Sequence, residues 1–129
     1  MDAHPPRVRA IMHHAGRFLL VQHNNRQPEN RGKWSTPGGG VEPYDADFHE
    51  ALRREMREEF EVEITIADFI ATYEYKKREH HVFLAFPVHT LFVTDPSEIV
   101  AYRWFTPEEV AALDSAGKLH TGFELDAVR

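Results

Sequence analysis

The feature that most constrains this chain is one helical stripe set between extended segments. Phe48, Ala51, Leu52 and Met56 recur at helical spacing, which predicts a helix over residues 47–60 with a single apolar face. Asp45 or Asp47 is placed to cap it, with Glu50 available for a capping box. Before the helix, residues 8–13 and 18–21 are short apolar runs separated by Ala15, Gly16 and Arg17, the pattern of a hairpin. After it, Val62, Ile64 and Ile66 alternate with Glu63 and Thr65, and residues 69–75 read as a strand. Lys76, Lys77, Arg78 and Glu79 look like a charged turn. Residues 82–93 are rich in β-formers, with Pro87 demanding an edge or a bulge, and residues 99–105 make a final strand. Thr106 and Pro107 open a second helix, which Gly117 keeps short. A mixed β-sheet with at least two helices packed on it follows: an α/β (α+β) sandwich.

The length of 129 residues predicts one domain spanning residues 1–129, large enough to bury a core without staples. There is no cysteine, which excludes disulfides, thiolate zinc sites and cysteine nucleophiles. No apolar run approaches the roughly 18 residues of a membrane span, and the start at Met1 lacks the pattern of a signal peptide. These absences point to a cytoplasmic protein with no membrane partner. The net charge is −6 and no basic stripe is present, so duplex nucleic acid is not an expected partner. An acidic protein handles an anionic substrate when metal ions sit between the two, which makes the arrangement of its carboxylates decisive.

Glu55, Glu58 and Glu59 fall on one face of the predicted helix. Like charges at that spacing destabilise a helix unless something compensates. Converging carboxylates suit a hard cation such as Mg²⁺, which takes one or two of them together with phosphate oxygens. Gly38, Gly39 and Gly40 precede the helix and permit close approach of a ligand to the main chain.

This stretch resembles the Nudix box, G-x5-E-x7-R-E-U-x-E-E-x-G-U, where U is a bulky aliphatic residue. Arg54, Glu55, Met56, Glu58, Glu59 and Val62 match its second half, and Gly39 its first. Outside the box, residues 16–21 resemble the family's first hairpin, residues 32–34 its approach to the box, and residues 104–109 its last strand and helix start. Two departures stand out. The box glutamate falls on Asp45, and the spacing from Asp45 to Arg54 is one residue too long, a one-residue insertion between loop and helix. The glycine after the second acidic pair is Glu61, where a left-handed cap carries strain.

The resemblance implies a Nudix-like α/β/α sandwich and a metal-dependent hydrolase. Glu55, Glu58 and Glu59, with the Gly38 carbonyl, would hold Mg²⁺ (or Mn²⁺), and activated water would attack one phosphorus. Arg54 would orient the glutamates by ion pairing. Glu58 is the in-box choice of general base; Glu98, in the turn before the last strand, is the choice outside it, ahead of Glu79. A nucleotide is the implied small-molecule partner. Trp34, Tyr75, Tyr73 and Phe83 are candidates to stack on its base, although alternating strand aromatics more often belong to a core. Arg31, Arg26 and Lys33 are candidates to meet phosphates. The pairs His13–His14 and His80–His81 point to opposite faces of their strands and do not suggest a joint site. A chain this close to the bare fold favours a (d)NTP-type substrate giving a monophosphate and pyrophosphate. Dinucleoside polyphosphates, nucleotide sugars and capped RNA remain alternatives, as does a non-catalytic binding or sensor domain. The intact glutamates and Arg54 favour the enzyme, and the resemblance also admits a homodimer.

Overall fold

The computed structural model describes residues 4–24 and 28–129. Its elements run β1 (Arg7–His14), β2 (Arg17–His23), a 3-10 turn (Pro28–Asn30), β3 (Gly38–Gly40), α1 (Phe48–Phe60), β4 (Ile64–Tyr75), β5 (Arg78–Pro87), β6 (Ile99–Phe105), α2 (Pro107–Ser115) and α3 (Glu124–Val128). The strands form one mixed sheet in the order β4-β5-β1-β2-β6, with β3 added on β1. β1 and β5 are parallel; the other pairings are antiparallel.

Two apolar layers flank the sheet. On one face Ala51, Leu52, Met56 and Phe60 of α1 pack on Val8, Ala10, Met12, Leu19 and Val21. On the other, Val110 of α2 and Phe123, Ala127 and Val128 around α3 pack on Ile11, Leu20, Val82 and Phe105. The alternation of β1 residues between these layers follows from the two-residue period of a strand. Helices on both faces make this the expected α/β/α sandwich, and no helix among the described residues is long and apolar enough to cross a membrane.

The sheet is split along β1. Its last residues pair with β2 at His13 and His14, whereas its first, Arg7 to Arg9, pair with the glycines of β3. Between these pairings the segment 35–37 wedges β1 from β2. Ala10 N–H donates to the Pro37 carbonyl at 2.9 Å, and Val21 and Ser35 exchange backbone bonds at 2.8 and 2.9 Å.

Several local expectations need correction. The glycine run is a strand, because each glycine finds a partner on β1. The turn between β4 and β5 is only Lys76 and Lys77, both at positive φ, so Arg78 and Glu79 already belong to β5. Pro87 ends β5 rather than sitting in a bulge. The segment up to Val93 then leaves the sheet: Val93 and Asp95 N–H donate to the Phe60 and Glu59 carbonyls, across the end of α1. The short helix α3 has no counterpart in the reading of the sequence.

Candidate active site

α1 begins where Asp47 accepts from the Glu50 N–H at 2.8 Å, and ends at Glu61, which adopts the left-handed conformation at φ 49°. β3 lies directly against this helix. A Cβ placed on Gly39 would come within 2.5 Å of a Glu55 carboxylate oxygen, and one on Gly38, at φ 146°, would strike the Val8 carbonyl. The box therefore needs glycine at these two positions for space, and at Gly38 for backbone conformation too.

Arg54 ties the parts together. Its Nε and Nη2 donate to the two Asp45 oxygens, both at 2.9 Å. Nη2 also donates to the Gly40 carbonyl at 3.0 Å, and Nη1 to Glu55 and Glu58, each at 3.2 Å. A guanidinium presents a fixed fork of donors, and this one is used in full. The hydrogen bonds to Arg54 hold the Asp45 carboxyl below the usual range, and the Asp45 bonds push Arg54 up. Asp45 thus clamps the arginine.

Glu59 is buried, and its Oε2 has no hydrogen-bond partner among the described residues. Burial, then the charge of Glu55, pushes its carboxyl up to about 9. Burial raises Glu55 in the same direction. Glu58 is exposed and held by Arg54. Among the described residues no three acidic or histidine side chains already stand at coordinating separation. The donor set nevertheless fits a hard divalent ion. A buried carboxylate with one unbonded oxygen beside a second carboxylate is costly to ionise, and a cation between them removes that cost.

These groups line a cleft of about 890 Å³. Gly38, Glu55, Glu58, Glu59 and Glu98 share its lining with Arg7, Arg9, Arg78 and Lys76. Tyr75, His80 and His120 line it too, the two imidazoles kept neutral by burial. The structure therefore gathers Gly38, Arg54, Glu55, Glu58, Glu59, Glu98 and Tyr75 around one space. Glu98 is close enough to Glu59 for its charge to help raise that carboxyl. Trp34 and Arg31 are not brought to the cleft. Trp34 packs edge-on against Phe105 at 5.0 Å, and Arg31 borders a smaller hollow beside Gln22 and Gly32. Tyr73 stacks on Phe123, Phe83 is buried against α1, and Glu79 is exposed on β5. Arg26 lies outside the described residues. His80 and His81 do point apart: His81 stacks on Phe48, and His80 sits against Phe123 on the opposite face.

The basic part of the lining, Arg7, Arg9 and Arg78, is what reading the sequence missed. Its signal is present in β1, where Arg7 and Arg9 occupy alternate positions of an otherwise apolar strand. A buried strand carries a charge only where something answers it.

The family model described as NUDIX domain matches residues 3–123. The chain belongs to the Nudix family. Among Nudix relatives, a CTP pyrophosphohydrolase of Escherichia coli K12 is 33% identical over 108 residues, covering 79% of this chain and 76% of that protein. A nucleoside triphosphatase NudI of Salmonella typhimurium is 30% identical over 120 residues, covering 81% and 83%. The solution structure of the E. coli ORF135 protein superposes with a TM-score of 0.72 at 27% identity, covering 99% of this chain and 91% of that one. A Nudix hydrolase from Nitrosomonas europaea superposes at 0.80 with 20% identity, over 99% and 70%, a likeness of fold alone.

Proposed function

We propose that this Nudix hydrolase cleaves the diphosphate linkage of nucleoside triphosphates, giving a nucleoside monophosphate and pyrophosphate, with Mg²⁺ or Mn²⁺ bound by the box. As a Nudix pyrophosphohydrolase it acts on acid anhydrides. The observation that carries the finer reading is the mixed acidic and basic lining of the cleft. One helix supplies Glu55, Glu58 and Glu59, and Arg7 and Arg78 line the same space, which is of nucleotide size. The names of the E. coli and Salmonella relatives point to the same substrate class.

In this reading Glu55, Glu58, Glu59 and the Gly38 carbonyl hold the ion. A bound divalent ion supplies Lewis acidity, lowering the pKa of water and neutralising phosphate charge. The other steps belong to the chain. Arg54 is a positioning residue: by binding Asp45, Glu55, Glu58 and the Gly40 carbonyl it fixes the helix against β3. Glu58 accepts the proton of the attacking water, with Glu98 the alternative base outside the box. The new P–O bond forms as the bridging P–O bond breaks, and pyrophosphate departs. Arg7 and Arg78 offset the charge of the phosphates, and Tyr75 offers a face to the base.

A phosphate-release screen with Mg²⁺ or Mn²⁺ tests this across nucleoside tri- and diphosphates, dinucleoside polyphosphates and nucleotide sugars. Nucleoside triphosphates are expected to give the highest rate. Glu58→Gln is expected to abolish nearly all turnover with an unchanged circular dichroism spectrum; wild-type rates in that variant would remove Glu58 from the mechanism. No release from any compound with either metal would leave the fold as a binding or sensor domain.

A further inference from the structure

Arg9 is not absorbed by the chemistry above. It is buried at 5% exposure, yet among the described residues no carboxylate lies within ion-pairing distance of it. Its Nε donates to His80 Nδ1 at 3.3 Å and its Nη1 to the Thr36 carbonyl at 3.1 Å. Nη2 finds no acceptor among the described residues, and Arg9 borders the cleft. A buried guanidinium without a counter-charge is expensive, and its distant partners Glu59, Glu124 and Glu55 compensate only through space.

The bond to Arg9 also fixes the tautomer of His80. A ring nitrogen that accepts carries no proton, so Nδ1 is bare and Nε2 bears the hydrogen. His80 is 2% exposed, borders the same cleft, and its Nε2–H has no acceptor among the described residues. The ring is kept neutral by burial, which draws its pKa down to about 3. Two donors thus face one chamber, whose other walls are Tyr75, with its ring 6.1 Å from His80, and His120.

Resting on the triphosphatase reading, we propose that Arg9 and His80 determine base specificity: they donate to a nucleobase that offers acceptors on adjoining atoms, as cytosine does with O2 and N3 and guanine with O6 and N7. Adenine places an amino donor on its Watson–Crick and Hoogsteen edges and leaves one of the two donors unanswered. Leaving a desolvated donor unpaired is what makes such a site selective. The aromatic and imidazole walls suit a flat ring, and the phosphates lie toward Arg7, Arg78 and the box.

The test uses the metal-free protein and nucleoside monophosphates, so it does not depend on turnover. By isothermal titration the wild type is expected to bind CMP and GMP at least about tenfold more tightly than AMP. Arg9→Met, which keeps the stem and removes the donors, is expected to bring CMP and GMP down to the level of AMP while leaving AMP unchanged. An equal loss for all three nucleotides would make Arg9 a phosphate contact and overturn the proposal. Equal affinities in the wild type, or unchanged affinities in the variant, would overturn it as well. A measurement on the wild type stands if Arg9→Met fails to fold: the His80 Nε2–H resonance should shift on adding CMP and stay in place on adding pyrophosphate. The reverse pattern would sink the idea. If the phosphate-release screen fails while base discrimination holds, the hydrolase reading falls and this one survives.

Discussion

Two residues show how local chemistry sets stability here. Glu61 ends α1 in the left-handed conformation, with its N–H bonded to the Arg57 carbonyl and the next N–H, of Val62, to the Met56 carbonyl. A side chain there costs about 1 kcal/mol that glycine does not incur. Glu61→Gly is therefore expected to raise stability by up to about 1 kcal/mol, read as a higher urea midpoint with an unchanged slope. His80 works through protons. Its folded value of about 3 lies below the ordinary 6.5, so between those values the unfolded chain takes up a proton that the folded chain refuses. Stability from this source is intact above about pH 6.5 and falls as pH drops toward 3, by at most about 1.4 kcal/mol per pH unit. His120, drawn down to about 4 by burial, steepens the same fall. His80→Gln keeps an acceptor for Arg9, and urea midpoints taken between pH 7.5 and 5 should then fall less steeply than in the wild type. An identical slope would mean that His80 is not the group refusing the proton.

At the scale of elements, β3 and α1 are in close contact at Gly39 and Glu55. Gly39→Ala forces the Glu55 carboxylate away, whereas a Cβ on Gly40 meets nothing within 4 Å. The first substitution is expected to lower turnover about a hundredfold and the second to be nearly silent, measured as kcat under saturating metal. Equal rates for the two variants would show that Glu55 tolerates displacement. These elements also mark how far the residues could be read in advance. α1 was legible because its apolar stripe and its acidic face both follow one helical period. The hairpin at Ala15 and Gly16 and the helix start at Thr106 and Pro107 were legible because they are local. β3 was not, because three glycines carry no pattern and become a strand only when β1 offers them partners. The basic side of the cleft was hidden for a related reason. Arg7 and Arg9 come from β1, His80 from β5 and His120 from the segment before α3, so only the register between β1 and β5 and the return of the chain after α2 assemble them. Trp34 was a candidate to stack on a base as an aromatic, but the chain turns it toward Phe105.

The molecule as a whole carries a formal charge of −6, and its buried Glu59 stands beside half-buried Glu55; burial, helped by the Glu55 charge, holds the Glu59 carboxyl up at about 9. Anything that binds the folded form alone stabilises it by mass action, by about 2.7 kcal/mol at a hundred times its Kd. Millimolar Mg²⁺ is therefore expected to raise the melting temperature, and a chelator to reverse the rise. Glu59→Gln, which removes the unpartnered carboxylate, should melt higher than the wild type without metal and gain less from Mg²⁺. A variant that melts lower without metal and responds fully would show that Glu59 is structural.

The parting of β1 from β2 has a consequence for how this hollow meets its guest. The inserted segment answers the main chain on both sides, through Ala10, Val21 and Ser35, so the opening leaves no broken ladder waiting to close. A nucleotide then enters a mould already cast. Deuterium uptake along β1 should be nearly the same in the empty and the occupied protein.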